Sequence, residues 1–192
     1  MTDRYPRAMR WLHWSVAGLV IAVLSVGLVL GYGLVSGKSP AGQTLEDLHI
    51  LFGVLVALVT VVRIYVRARS KIPPVVGSAL ERATAMLAHG LLYALVIGLP
   101  VIGYAMKLSY GRAPAPFGLA MSDFGLTRPG VRYEAIGEFL WLLHSYGGKL
   151  LAVLVIIHVA AVVRRTIRDR STGSGDGLWR MLPADWRSRP AR

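Results

Sequence analysis

The chain has no cysteine among its 192 residues, which excludes disulfides, thiolate zinc sites, iron–sulfur clusters and covalently attached c-type haem. Charge is scarce and lopsided: 17% of residues are charged, with 22 basic side chains against 10 acidic ones, a formal net charge of +12. A basic surplus in a soluble domain normally marks a polar face for nucleic acid. Here the basic residues border long apolar runs in a chain that is 54% hydrophobic, which points to a lipid membrane and away from a nucleic-acid partner. Carboxylates are missing from the middle of those runs. Glu46, Asp47, Glu81, Glu134 and Glu138 lie at or beyond the ends, so a di-iron or di-manganese bundle site lacks its ligands. Zinc lacks both a cysteine and a midplane acid.

What the chain does have is four apolar segments, Trp11–Val35, Leu48–Val66, Ala83–Met106 and Leu140–Val163. Each can cross a hydrocarbon core of ~30 Å, for which about 20 helical residues suffice. The expected fold class is therefore an all-α membrane protein, a four-helix transmembrane bundle. Arg4, Arg7 and Arg10 precede the first run in the manner of a secretory signal. The run is too long for one and no small-x-small cleavage site follows, so it reads as a retained helix. Lys and Arg gather on one side, in the N-terminal segment, between the second and third runs, and after the fourth. That bias predicts that both termini are cytoplasmic.

SGKSPAGQ and SKIPPVVGS read as short connections, and the segment from Leu108 to Phe139 as an external cap over the bundle end. Residues 1–170 form the expected membrane domain, and residues 171–192, beginning around STGSGDG, a flexible basic tail suited to anionic lipid headgroups.

All five histidines, His13, His49, His89, His144 and His158, fall inside the apolar runs, and ionisable residues in a membrane default to function. Their heights form two layers. His49 and His144 lie toward the external side; His13, His89 and His158 lie toward the cytoplasmic side. His144 and His158, fourteen residues apart, return to nearly the same helix face about 21 Å along the axis. Paired imidazoles between facing helices suit haem b, one haem per layer. Ala17, Gly53, Gly147 and Gly148 leave room for a flat macrocycle beside the ligands, although small residues also serve plain helix contacts. Height leaves His13 and His89 as alternatives for the cytoplasmic layer.

RYPRAMRWLHW, LHILFGVLVALVTVVRIYVR followed by IPP, LAHGLLYALVIGLPVIGYAM, LLHSYGGKL running to IIHVAA, and a closing LWRMLP together resemble the bacterial cytochrome b561 family over nearly the whole chain. The resemblance implies a place in the bacterial inner membrane and two haem b groups, with iron held by His13 and His158 on the cytoplasmic side and by His49 and His144 on the periplasmic side. His89 is then left for quinone binding, proton transfer or a helix–helix hydrogen bond. Arg63 is a candidate partner for an inner haem propionate, with Arg67 an interface arginine. Lys149, five residues inside His144, either snorkels to the interface or meets an outer propionate.

Iron with two axial histidines has no open position, so electron transfer is implied rather than oxygen binding. The leading functional expectation is an oxidoreductase of the superoxide oxidase type. It oxidises superoxide outside and reduces quinone near the cytoplasmic side, with Lys38, Lys107, Arg112, Arg128, Arg132 and Lys149 steering the anion. The alternative is an electron-transfer anchor for a separate periplasmic redox protein, with APAPFGLAMSDFGLTRPGVRYEAIGEF as its docking face.

Overall fold

The computed structural model describes residues 4–73, 77–127, 131–172 and 178–182. Four long helices dominate: α1 Arg7–Gly31, α2 Pro40–Arg69, α3 Ala79–Ser109 and α4 Glu134–Thr172. All four are long and apolar enough to cross a membrane, and no strand occurs among the described residues.

The helix ends follow from local chemistry. α1 stops at Gly31, four residues short of the apolar run, because Gly33 takes a left-handed conformation at φ 65°. Gly33 N–H then bonds Leu30 O and Leu34 N–H bonds Val29 O, the Schellman pair that satisfies the last carbonyls. α2 starts eight residues before its apolar run. The Ser39 hydroxyl accepts from Gly42 N–H at 3.1 Å with Pro40 at the first helical position, so a polar first two turns is still helical. Gly42 is obligatory there, since a Cβ would lie 2.0 Å from Ser36 O. α3 opens on a capping box between Ser78 and Glu81 and carries Pro100 in its interior.

The helices run up and down, so α1 packs chiefly on α2 and α3 on α4. One end of the bundle, here the terminal end, holds Arg4 and Leu182; the other, the loop end, holds residues 110–127 and 131–133. Between the ends sits an apolar plug of Val16, Val20, Val56, Val96, Leu99 and Leu151. Large apolar side chains such as Ile21, Leu58 and Ile156 are 59%, 59% and 68% exposed, as lipid-facing residues should be.

Part of the expected tail is described. Residues 178–182 fold back as a 3-10 turn onto the start of α1, where Arg4 and Arg10 both donate to Leu182 O at 2.9 and 3.0 Å. Trp14 Nε1 donates to Met181 O at 2.9 Å, and Tyr5 N–H to Arg180 O. These contacts use backbone carbonyls, which side-chain composition does not advertise. The rest of the expected tail, residues 173–177 and 183–192, lies outside the described residues.

Candidate functional site

The histidines fall into the two expected layers, and the loop-end layer is the better defined. His49 and His144 meet with ring centroids 5.8 Å apart, planes at 79°, and Nε2 atoms 3.5 Å apart. His49 Nδ1 donates to Val23 O at 3.1 Å, and His144 Nδ1 donates to Leu99 O at 3.0 Å. A carbonyl can only accept, so both Nδ1 atoms carry the proton and both Nε2 lone pairs face each other. Two lone pairs at that separation call for a cation between them. Imidazole–metal bonds of about 2 Å would open the gap only to about 4 Å, and a backbone bond at the far nitrogen is the usual way such a ligand is oriented.

Each ring lies over a glycine one helical turn beyond the carbonyl it bonds. A Cβ at Gly27 would sit 2.9 Å from His49 Cε1, and one at Gly103 would sit 2.9 Å from His144 Cε1. The arrangement is the same in both hairpins: α1 offers Val23 and Gly27 to a histidine of α2, and α3 offers Leu99 and Gly103 to a histidine of α4. The sequence does not single out either glycine as a site residue, although Gly103 closes the LPVIG stretch that carries part of the family resemblance.

Around the pair opens a cavity of about 550 Å³, lined from all four helices, a volume within the range of cofactor sites. Gly53 and Gly148 line it with nothing near their Cα hydrogens, so they leave open space. Gly147 faces elsewhere, against Leu99 Cδ2, which a Cβ would approach to 2.7 Å. Lys149 also lines the cavity, with Nζ 5.0 Å from the Tyr146 ring centroid and 5.9 Å from that of Tyr32. Lys107, by contrast, is ion-paired with Glu46 at the rim.

The terminal-end layer brings three rings together rather than two. His158 lies 6.5 Å from His13 and 5.4 Å from His89 by centroids, and His13 packs edge-on to Trp14 at 5.6 Å. His89 Nδ1 donates to Ala85 O of its own helix at 2.6 Å, which leaves its Nε2 as an acceptor. Arg63 of α2 stacks its guanidinium on Tyr93 at 5.3 Å. Its Nε is buried without a hydrogen-bond partner, and a buried unpaired donor on a cation is costly unless an anion completes it.

Among the described residues, no group of three or more His, Cys, Asp or Glu could hold a bare metal ion. The facing imidazoles and cavity at the loop end, and the buried Nε of Arg63 near the three imidazoles at the terminal end, instead fit a haem, which takes only its iron ligands from the protein.

Residues 4–183 match the profile of prokaryotic cytochrome b561. The chain belongs to the cytochrome b561 family. A protein named probable superoxide oxidase CybB, from Yersinia pestis, is 28% identical over 123 residues, covering 63% of this chain and 68% of the relative. The family is one of b-type haem proteins that carry electrons in bacterial membranes, and the four spans of this cytochrome b561 make it a multi-pass membrane protein.

Proposed function

We propose that the chain is a superoxide:quinone oxidoreductase that carries electrons from the His49/His144 layer to the His13/His158 layer. The observation that supports this most is the two histidine layers at opposite ends of a four-helix membrane bundle, separated by an apolar plug. The name of the relative in Yersinia pestis supports the substrate. In this reading His49 and His144 hold one haem b and His13 and His158 the other, with both termini cytoplasmic and the loop end periplasmic. Haem held by two histidines would supply one-electron transfer there.

The protein's own residues then have definite tasks. Val23 O and Leu99 O hold the two loop-end imidazoles with Nε2 unprotonated. Gly53 and Gly148 keep the cavity open beside them, and Arg63 neutralises a propionate at the terminal end. Lys149, paired with aromatic faces rather than a carboxylate, attracts superoxide toward the cavity, whereas Lys107 is largely neutralised by Glu46. Two superoxide ions each lose one electron and leave as oxygen; one quinone gains two electrons and two cytoplasmic protons. His89, beside His158 with an acceptor nitrogen, is positioned for quinone or for that proton.

The test mixes oxidised, purified protein with a superoxide burst and follows the haem spectrum. Rapid reduction that added quinone reverses supports the proposal; reduction no faster than with superoxide dismutase present overturns it. A second reading, an electron-transfer anchor for a periplasmic redox protein, would use the apolar face of the 113–127 loop, where Phe117 and Phe124 are 52% and 72% exposed.

A further inference from the structure

The connection between α3 and α4 repeats a tripeptide seven residues apart, Phe117-Gly118-Leu119 and Phe124-Gly125-Leu126. Both copies take the same unusual backbone. Phe117 and Phe124 have φ of 52° and 54°, and the glycines that follow have φ of 78° and 69°. Positive φ is strained for a bulky side chain and persists only where the surroundings enforce it. The strain does not serve burial, since Phe117, Leu119, Phe124 and Leu126 are between 52% and 72% exposed. Each turn instead points a Phe and a Leu away from the protein.

Where they point follows from what holds the loop. Phe117 N–H donates to the Asp47 carboxylate at 3.1 Å, and Asp47 is the last polar residue before the apolar stretch of α2 begins at Leu48. The Tyr104 hydroxyl donates to Ser122 O, and the Tyr104 ring packs on Phe124 at 6.1 Å. Tyr104 sits just inside Lys107, where the apolar stretch of α3 ends. Met121 N–H bonds Pro114 O at 3.0 Å, closing the loop on itself. The loop is thus drawn down along the flanks of α2 and α3 to the polar–apolar boundary of both helices, rather than standing above the bundle.

Composition agrees with that level. Residues 113–127 contain no Lys or Arg and one acid, Asp123, whose carboxylate is consumed locally by Gly125 N–H and the Thr127 hydroxyl. α2 brings no Tyr or Trp to its loop end, where its first aromatic is Phe52, so it lacks the amphipathic interfacial ring that membrane helices commonly carry. α4 has its own in Trp141 and Tyr146, 54% and 66% exposed. We infer that the two Phe-Gly-Leu turns are a membrane-inserting wedge that seats in the lipid interface and supplies the aromatic anchor α2 lacks. The occupant of this face is lipid, and a periplasmic redox protein would have to dock elsewhere.

A chain without cysteine allows a clean test. Leu119→Cys and Leu126→Cys are placed singly in the haem-loaded protein in lipid nanodiscs, with Arg112→Cys as the aqueous reference. Reaction with a bulky polar maleimide is followed, and in parallel a phospholipid bearing a diazirine near its headgroup is photoactivated and the crosslinked peptides are identified. Thiolate is the reactive species and burial in an apolar setting disfavours it, so labelling at positions 119 and 126 should be about tenfold slower than at 112, or slower still. The 113–127 peptide should carry the lipid crosslink. Labelling as fast as at position 112 means the turns lie in water and overturns the inference. Slow labelling without a lipid crosslink means protein covers them, a second copy or a partner, and overturns it equally. The outcome does not depend on the electron donor.

Discussion

His49 and His144 present their Nε2 atoms to each other at 3.5 Å while each donates through Nδ1 to a carbonyl of the neighbouring helix. The geometry makes His144 and His158 separable. His144→Ala should remove one haem and His158→Ala the other, so the haem-to-protein ratio halves in each variant. Pyridine haemochrome stoichiometry checks this, and two retained haems in both variants would end the two-layer assignment.

Gly27 and Gly103 lie against the two loop-end imidazoles, each with a ring carbon 2.9 Å from where a Cβ would sit. Gly27→Val and Gly103→Val should displace the ring beneath and lose that haem selectively, with the terminal-end haem retained in redox titration. Gly18→Val is the control, because nothing lies within 4 Å of a Cβ there. Equal loss in all three variants would mean the effect is general destabilisation.

Arg63 carries a buried, unpaired Nε. Arg63→Gln removes the cation and should lower the potential of the terminal-end haem on the order of 50 mV, since ~59 mV corresponds to a tenfold change for one electron. Arg63→Lys should recover part of the shift, and an unchanged potential in the Gln variant would remove Arg63 from the haem environment.

The clasp at the terminal end predicts coupling between distant parts of the sequence. Arg10 is 4% exposed and donates to Leu182 O. Arg10→Ala should destabilise by about 1–3 kcal/mol, as should truncation after Thr172. Combining them should be less than additive; additive losses in thermal unfolding would show that Arg10 acts elsewhere.

Asp123 gives the loop a pH dependence of known sign. The Thr127 hydroxyl, then Gly125 N–H, hold its carboxyl below the ordinary aspartate value. A folded-state value lowered in this way contributes order that is complete above the unfolded value and is lost as pH falls through the folded one. The Gly125 amide resonance should therefore hold its position until pH drops below the usual Asp range, then move. In Asp123→Asn it should not titrate.

The sequence made the spans and the height of each histidine legible because lipid imposes a coarse rule: long apolar runs with few exceptions. It did not reveal Gly27 and Gly103, whose importance depends on which residue of a facing helix lies above them. Gly147, singled out beside His144, proved to face Leu99, because adjacent residues on a helix point about 100° apart. The end of α1 was missed because hydropathy is blind to the left-handed turn at Gly33. The contacts of residues 178–182 were missed because they are made to main-chain oxygens.

The matched use of Val23 with Gly27 and Leu99 with Gly103 bears on how the molecule is put together. Each helical hairpin completes one imidazole with its own backbone, so each arrives as a finished half-socket. In the proposed reading a haem between His49 and His144 would add a fastener across the seam, beside the Lys107–Glu46 ion pair and the clasp of residues 178–182 on α1. Haem capture and the joining of the two halves would then be coupled, and a chain severed between α2 and α3 should reassemble from separately made hairpins more tightly when haem is supplied.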